Sequence, residues 1–219
     1  MDILQRFRDP ISGLTHLAGA LLGIVGVLHI LGLDLSARPS PQSLASVISL
    51  LIYGFSLIFL YSASSAYHLC RVTDARRLQL RQLDHAMVPV FIAGSYTPFC
   101  VIALHDRLGY TLLAVVWTLA VAGLVKGIYW LHAPRWVTAS VFVAMGWVVV
   151  VAVYPLSQVI SPTALSLLFG GGLAYSLGAL IYACKWPNPL PPLFGFHEIW
   201  HLFVLLGSAC HYVSILTLV

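Results

Sequence analysis

This sequence has very few charged residues. Asp, Glu, Lys and Arg make up only 8% of its 219 residues, whereas hydrophobic residues make up 60%. A chain so poor in charge cannot cover a soluble domain with polar side chains. The composition therefore excludes that class and predicts an integral membrane protein.

The sequence also lacks paired cysteines, interdomain linkers and low-complexity tracts. Its cysteines, Cys70, Cys100, Cys184 and Cys210, show no C-x-x-C spacing and lie in or beside apolar segments. We expect them to be reduced packing residues. In the absence of a linker or a repeat, we expect residues 1–219 to form one domain.

Seven apolar segments are long enough to cross a bilayer, which takes about 20 residues. Their hydrophobicity is continuous, not alternating, so they predict helices and exclude the strands of a membrane barrel. The first segment is longer than the core of a secretory signal, and we expect it to be retained. We therefore predict an all-α bundle of seven transmembrane helices, at approximately residues 14–33, 44–70, 82–104, 110–129, 136–154, 163–184 and 197–219.

The basic residues are distributed unevenly between the two ends of these helices. Because cytoplasmic segments are enriched in Lys and Arg, the distribution predicts a cytoplasmic N-terminus and an external C-terminus. The excess of basic residues then reflects topology and anionic lipid headgroups, and nucleic-acid binding is not implied. The predicted cytoplasmic side holds Arg6, Arg8, Arg71, Arg76, Arg77, Arg81, Lys126, Arg135 and Lys185, and the other side holds Arg38 and Arg107.

Two histidines one helical turn apart begin the seventh predicted span. In His197-Glu198-Ile199-Trp200-His201, both imidazoles lie on one face of a helix, the spacing at which two histidines bind one metal ion. In isolation this is the H-E-x-x-H motif of soluble zinc proteases. Glu198 is accordingly a candidate base, or it pairs with a loop arginine at the level of the lipid headgroups.

Ionisable side chains within membrane spans are energetically costly, so they need a partner or a function. His68, near the end of the second span, lies on the same predicted side of the membrane as His197 and His201. These three imidazoles would form a tetrahedral zinc site with one open position, the coordination of catalytic zinc. His16 begins the first span on this side and is a candidate for contact around the ligands.

Two further polar residues are candidates for catalysis. Asp84 begins the third span on the same predicted side, where it would act as a general base or orient a ligand. It would alternatively neutralise Arg81 or Arg77. Ser64 precedes His68 by four residues and lies on the same helix face, one turn deeper, where its hydroxyl can hydrogen-bond a ligand.

Several motifs together resemble one family of membrane proteins, the bacterial haemolysin III-type branch of the progestin and adipoQ receptor superfamily. The resemblance covers nearly the whole chain, with the motifs in order on the first, second, third and seventh spans. The motifs are Asp9-Pro10-Ile11-Ser12-Gly13-Leu14-Thr15-His16, Ser64-Ser65-Ala66-Tyr67-His68, Leu83-Asp84-His85, Ala93-Gly94-Ser95-Tyr96-Thr97-Pro98-Phe99 and His197-Glu198-Ile199-Trp200-His201.

The resemblance implies a multi-pass protein of the bacterial cytoplasmic membrane with zinc near the cytoplasmic side. The zinc ligands carry over to His68, His197 and His201, accompanied by Ser64 and Asp84. Related alkaline ceramidases hydrolyse lipid amides with such a constellation. The family does not rely on a carboxylate at the place of the motif's Glu, which leaves that residue a secondary base candidate.

Three functions follow as hypotheses. The first is a zinc-dependent, ceramidase-like hydrolase of lipid amides or esters, whose substrate enters from the bilayer. The second is a non-enzymatic regulator or sensor of lipid and energy homeostasis with structural zinc. The third is a cytolytic haemolysin, although no predicted span carries a polar stripe suited to lining a pore.

Overall fold

A computed structural model describes residues 7–37, 42–191 and 193–219. Arg6 and Arg38, which contribute to the predicted orientation, lie outside these ranges. The described chain is built from the α-helices α1 (Pro10–Ala37), α2 (Gln42–Leu69), α3 (Asp74–Pro98), α4 (Arg107–Tyr129), α5 (Arg135–Gly146), α6 (Val153–Val159), α7 (Pro162–Cys184) and α8 (Phe196–Leu216).

Two of the membrane spans are helices with irregular turns. A π-helical segment, Phe99–Leu104, prolongs α3, and a 3₁₀ segment, Trp147–Ala152, joins α5 to α6. Within the described ranges, seven helical stretches are long and apolar enough to cross a membrane. The predicted all-α bundle of seven spans is thus confirmed, while the orientation of its termini stays a prediction.

The third helix begins earlier than its apolar segment. We predicted a span from residue 82, whereas α3 begins at Asp74. Its first two turns are polar and include Arg76, Arg77 and Arg81. Hydropathy marks the lipid-embedded part of a helix, whereas backbone hydrogen bonding sets where the helix starts.

The helices pack in chain order from α1 to α4, and α8 contacts both α7 and α1. Small residues allow close approach. A Cβ atom on Gly54 of α2 would lie 2.2 Å from Val27 Cγ2 of α1, and one on Gly94 of α3 would lie 2.1 Å from Ser56 Oγ of α2. The four cysteines are free, but Cys70 and Cys184 are exposed, so only Cys100 and Cys210 pack inside the bundle as we expected.

His68, His197 and His201 lie at one end of the bundle, which we call the histidine end. There α1, α3, α5 and α8 begin and α2, α4 and α7 end, and it is the end predicted to face the cytoplasm.

Candidate metal centre

Three histidines from two helices meet at the histidine end. His68 lies at the end of α2, and His197 and His201 lie one turn apart at the start of α8. One ligand nitrogen from each lies within 4.8 Å of the other two. His68 and His201 are buried, and His197 is half-buried. The structure therefore brings together the three residues proposed as ligands from the sequence.

The residue just before α1 sets the orientation of His68. Asp9 Oδ2 lies 3.2 Å from His68 Nδ1 and also accepts a hydrogen bond of 2.8 Å from Arg8 Nε. The hydrogen bond from His68 and the Arg8 guanidinium lower the pKa of Asp9 to about 2, against the opposing effect of burial. An ionised carboxylate only accepts, so His68 Nδ1 carries the hydrogen and its Nε2 lone pair is free to bind a metal.

The first turn of α1 orients His201 in the same way. His201 Nδ1 lies 3.1 Å from the carbonyl oxygen of Ser12. Since a carbonyl only accepts, Nδ1 is the donor and the Nε2 lone pair is free.

One distance between donor nitrogens matches that of a tetrahedral metal ion. His197 Nε2 lies 3.3 Å from His68 Nε2. Two nitrogens bound tetrahedrally to zinc at the usual bond length are separated by about 3.3 Å. Because the His68 nitrogen carries no hydrogen, a cation between the two rings, or a proton on His197, is needed to hold them this close. Imidazole nitrogens suit several divalent transition metals, zinc among them.

Glu198 is committed to structural hydrogen bonds. Its Oε1 accepts from Ser12 Oγ at 2.7 Å, and its Oε2 accepts from the backbone N–H of Gly195 at 2.9 Å. The second bond caps the start of α8, because the Glu198 side chain accepts from the backbone N–H of its N-cap residue. Glu198 thus ties α8 to α1. Among the described residues no arginine forms an ion pair with Glu198, because both ion pairs there involve Asp9.

His16 packs directly against His201, one of the candidate ligands. Its ring stacks on His201 with centroids 3.7 Å apart, and it meets the edge of Tyr61 at 4.9 Å. Both ring nitrogens of His16 are buried and without a hydrogen-bond partner in the described residues. The contact around the ligands that the sequence suggested is therefore ring stacking.

A cavity of about 180 Å³ extends from this cluster into the bundle. That volume holds many waters, or a segment of a lipid chain. Ser64, Asp84, His197 and His201 line its histidine end, and His68 lies next to the two histidines without lining the cavity. Most of the other lining side chains are aromatic or aliphatic, and Ser95, Thr138 and Ser176 are among the polar exceptions. Deeper still, His211 also borders the cavity and bonds the carbonyl oxygen of Leu168 at 3.1 Å, as expected of a buried hydrogen-bonding residue.

Asp84 is available to a ligand in the cavity. It is partly buried at the cavity wall. Both ion pairs of the described residues involve Asp9, so Asp84 pairs with neither Arg81 nor Arg77.

Asp9 and Ser12 are the contributors that sequence reasoning missed. They belong to the first of the motifs quoted above but received no role there. Their position at the start of the first span, on the same predicted side as the histidines, was the available signal. It indicates a shared membrane face but not a contact.

Comparison with known proteins identifies the chain. The profile of a family described as haemolysin-III related matches residues 4–212, which include every residue of the candidate metal centre. The chain belongs to the haemolysin III family. Hemolysin-3 of Bacillus cereus is 37% identical over 208 residues, 94% of this chain and 89% of that protein. The Hemolysin-3 homolog of Bacillus subtilis is 35% identical over 206 residues, 94% and 91% of the two chains.

A more distant human relative links the family to the receptor superfamily. The monocyte to macrophage differentiation factor of Homo sapiens is 26% identical over 171 residues, 75% of this chain and 67% of that protein. The predicted membership of the haemolysin III branch is thus confirmed. With its seven apolar helices, this haemolysin III family member is a multi-pass membrane protein, consistent with the bacterial cytoplasmic membrane.

Proposed function

We propose that this haemolysin III family member is a membrane-embedded zinc hydrolase that cleaves an amide or ester bond of a membrane lipid. The observation that carries the proposal is the opening of the histidine cluster into an otherwise apolar cavity, beside a carboxylate and a hydroxyl. His68, His197 and His201 would hold the metal. Zinc, when bound, would polarise the substrate carbonyl as a Lewis acid.

The other side chains perform the remaining steps. Asp84 accepts a proton from the attacking water as its oxygen bonds to the carbonyl carbon. The Ser64 hydroxyl donates a hydrogen bond to the developing oxyanion. Asp84 then returns the proton to the departing amine or alkoxide as the bond to carbon breaks. The apolar walls hold the acyl chain, which enters from the bilayer.

Metal analysis of the purified protein tests whether the three histidines bind zinc. Wild-type protein is expected to carry one zinc per chain, and His197→Ala/His201→Ala is expected to carry none. His29→Ala/His132→Ala removes two histidines that do not border the cavity and should retain the metal. Equal zinc in all three proteins would overturn the proposal.

Turnover tests the catalytic assignment. On a panel of ceramides and phospholipids, Ser64→Ala should lower kcat by about 100-fold to 1,000-fold, the usual cost of losing an oxyanion donor. Asp84→Asn should lower it by about 100-fold or more. Both variants should keep their zinc. Full activity in either would remove that residue from the mechanism, and no hydrolysis across the panel by wild type would refute the enzyme.

A structural zinc in a non-enzymatic regulator is the second candidate. It is favoured by the way the centre joins α8 to α1 and α2, which lie at the other end of the sequence. On this hypothesis the wild type has no turnover, and His68→Ala has a lower melting temperature than the wild type. The names of the Bacillus relatives suggest cytolysis as a third candidate. It predicts that cells leak even when all three histidines are replaced by alanine.

A further inference from the structure

Three basic residues lie at the histidine end, on helices that also line the cavity. They are Arg81 of α3, Lys126 near the end of α4 and Arg135 at the start of α5, and we call them the mouth cations. Lys126 Nζ donates a hydrogen bond to Thr138 Oγ1, and Thr138 is a buried residue of the cavity wall. Lys126 is thereby held beside the cavity.

Aromatic contacts position Arg135. Its guanidinium carbon lies 5.3 Å from the ring centroids of both Tyr182 and Phe196. Tyr182 borders the cavity, and Phe196 immediately precedes a proposed metal ligand. Two cation–π contacts of this kind hold the guanidinium between α7 and α8.

The positive charge of this group is not balanced. Both ion pairs of the described residues involve Asp9, so none of the mouth cations is paired with a carboxylate. Asp84 borders the cavity, and Glu198 follows His197 directly in the chain. Three cations against these two carboxylates leave an excess of positive charge beside a cavity of low polarity, where an anion is attracted more strongly than in water.

We infer that the mouth cations bind the phosphate of a lipid whose acyl chain occupies the cavity. The inference deepens the proposed function, on which it rests for the claim that this lipid is the substrate. Basic residues at a membrane surface attract anionic headgroups in general. The mouth cations differ because two of them contact residues that line the cavity or adjoin its metal ligands. A phosphate placed there leaves the first atoms of the acyl chain beside the histidines.

The experiment compares lipids that differ only in the phosphate. Phosphatidic acid and diacylglycerol with the same acyl chains are titrated onto the purified full-length protein in neutral detergent, and bound lipid is counted by native mass spectrometry. Inorganic phosphate serves as the third probe. Wild type should bind one phosphatidic acid at least fivefold more tightly than diacylglycerol, since one cation near an anionic lipid contributes about 1 kcal/mol.

Two matched double variants distinguish binding at the mouth cations from binding at other basic residues of the surface. Lys126→Gln/Arg135→Gln should reduce the preference by between about fivefold and 30-fold. Arg76→Gln/Arg77→Gln removes the same charge from the exposed first turns of α3 and should leave this one tight site unchanged.

A third variant tests the acyl chain. A Cβ on Gly172 meets only Trp147, at 3.8 Å, and both residues border the cavity. Gly172→Leu should therefore occupy the cavity and weaken both lipids equally.

Several results would overturn the inference. They are equal binding of the two lipids by wild type, equal losses in the two charge variants, full binding in Gly172→Leu, and inorganic phosphate that binds as tightly as phosphatidic acid. No arm depends on turnover. A protein that prefers phosphatidic acid but hydrolyses nothing would support the headgroup site while refuting the proposed enzyme.

Discussion

Removal of the Asp9 carboxylate should weaken zinc binding without touching a ligand. Asp9 Oδ2 is 3.2 Å from His68 Nδ1, and it fixes which nitrogen of that ring faces the other histidines. Loss of such a partner typically lowers metal affinity by 10-fold to 100-fold. The Asp9 side chain is 43% exposed, and water can replace part of its hydrogen bonding. We therefore expect Asp9→Ala to weaken zinc about tenfold.

The conservative variant separates charge from orientation. Asp9→Asn keeps an oxygen that can accept from His68 Nδ1 but loses the negative charge, so it should weaken zinc by less than Asp9→Ala. Asp74→Ala removes an exposed acid from the first turn of α3 and should leave zinc affinity unchanged.

Competition with a chelator of known zinc affinity, with metal counted by mass spectrometry, measures these differences directly. The reasoning is refuted if Asp9→Ala binds zinc as tightly as wild type while His68→Ala does not. In that case His68 is a ligand whose orientation does not depend on Asp9. If both variants bind normally, His68 is not a ligand.

Two further predictions concern stability. Glu198→Ala removes an N-terminal cap of α8 and the bond from Ser12, so it should lower the free energy of unfolding by about 2 kcal/mol; an unchanged melting temperature would show that neither bond contributes. A Cβ on Gly207 would lie 2.7 Å from the Tyr175 ring, and Gly207→Ala should destabilise by about 1 to 3 kcal/mol in thermal unfolding. A Cβ on Gly170 meets no atom within 4 Å, so Gly170→Ala should not destabilise; equal effects of the two alanines would contradict the packing.

The spans and the histidine pair were predictable because each depends on local properties of the chain. An apolar run of about 20 residues implies a membrane helix wherever it occurs. His197 and His201 share a face because 3.6 residues complete a turn. The start of α3 was not predictable from hydropathy, because its polar first turns extend beyond the apolar run.

The contacts between helices were not predictable in the same way. Most of these spans are apolar on every side, so periodicity does not indicate which face is inward. The sequence suggested that Glu198 was a base or an arginine partner, whereas packing places it against Ser12, 186 residues away. It gave His16 only a general position near the site, whereas packing stacks its ring on His201.

Sequence by itself determined the class of this protein, the number of its membrane helices, the metal-ligand spacing of His197 and His201, and the resemblance that family comparison confirmed. Only the tertiary structure decided that Asp9 and Ser12 orient two of the three histidines and that Glu198 links helices. It also decided that Lys126 and Arg135 contact side chains that line the cavity beside the histidines. Helical geometry fixes neighbours within a turn, whereas these contacts join residues far apart in the chain, and packing of the whole bundle sets their distances.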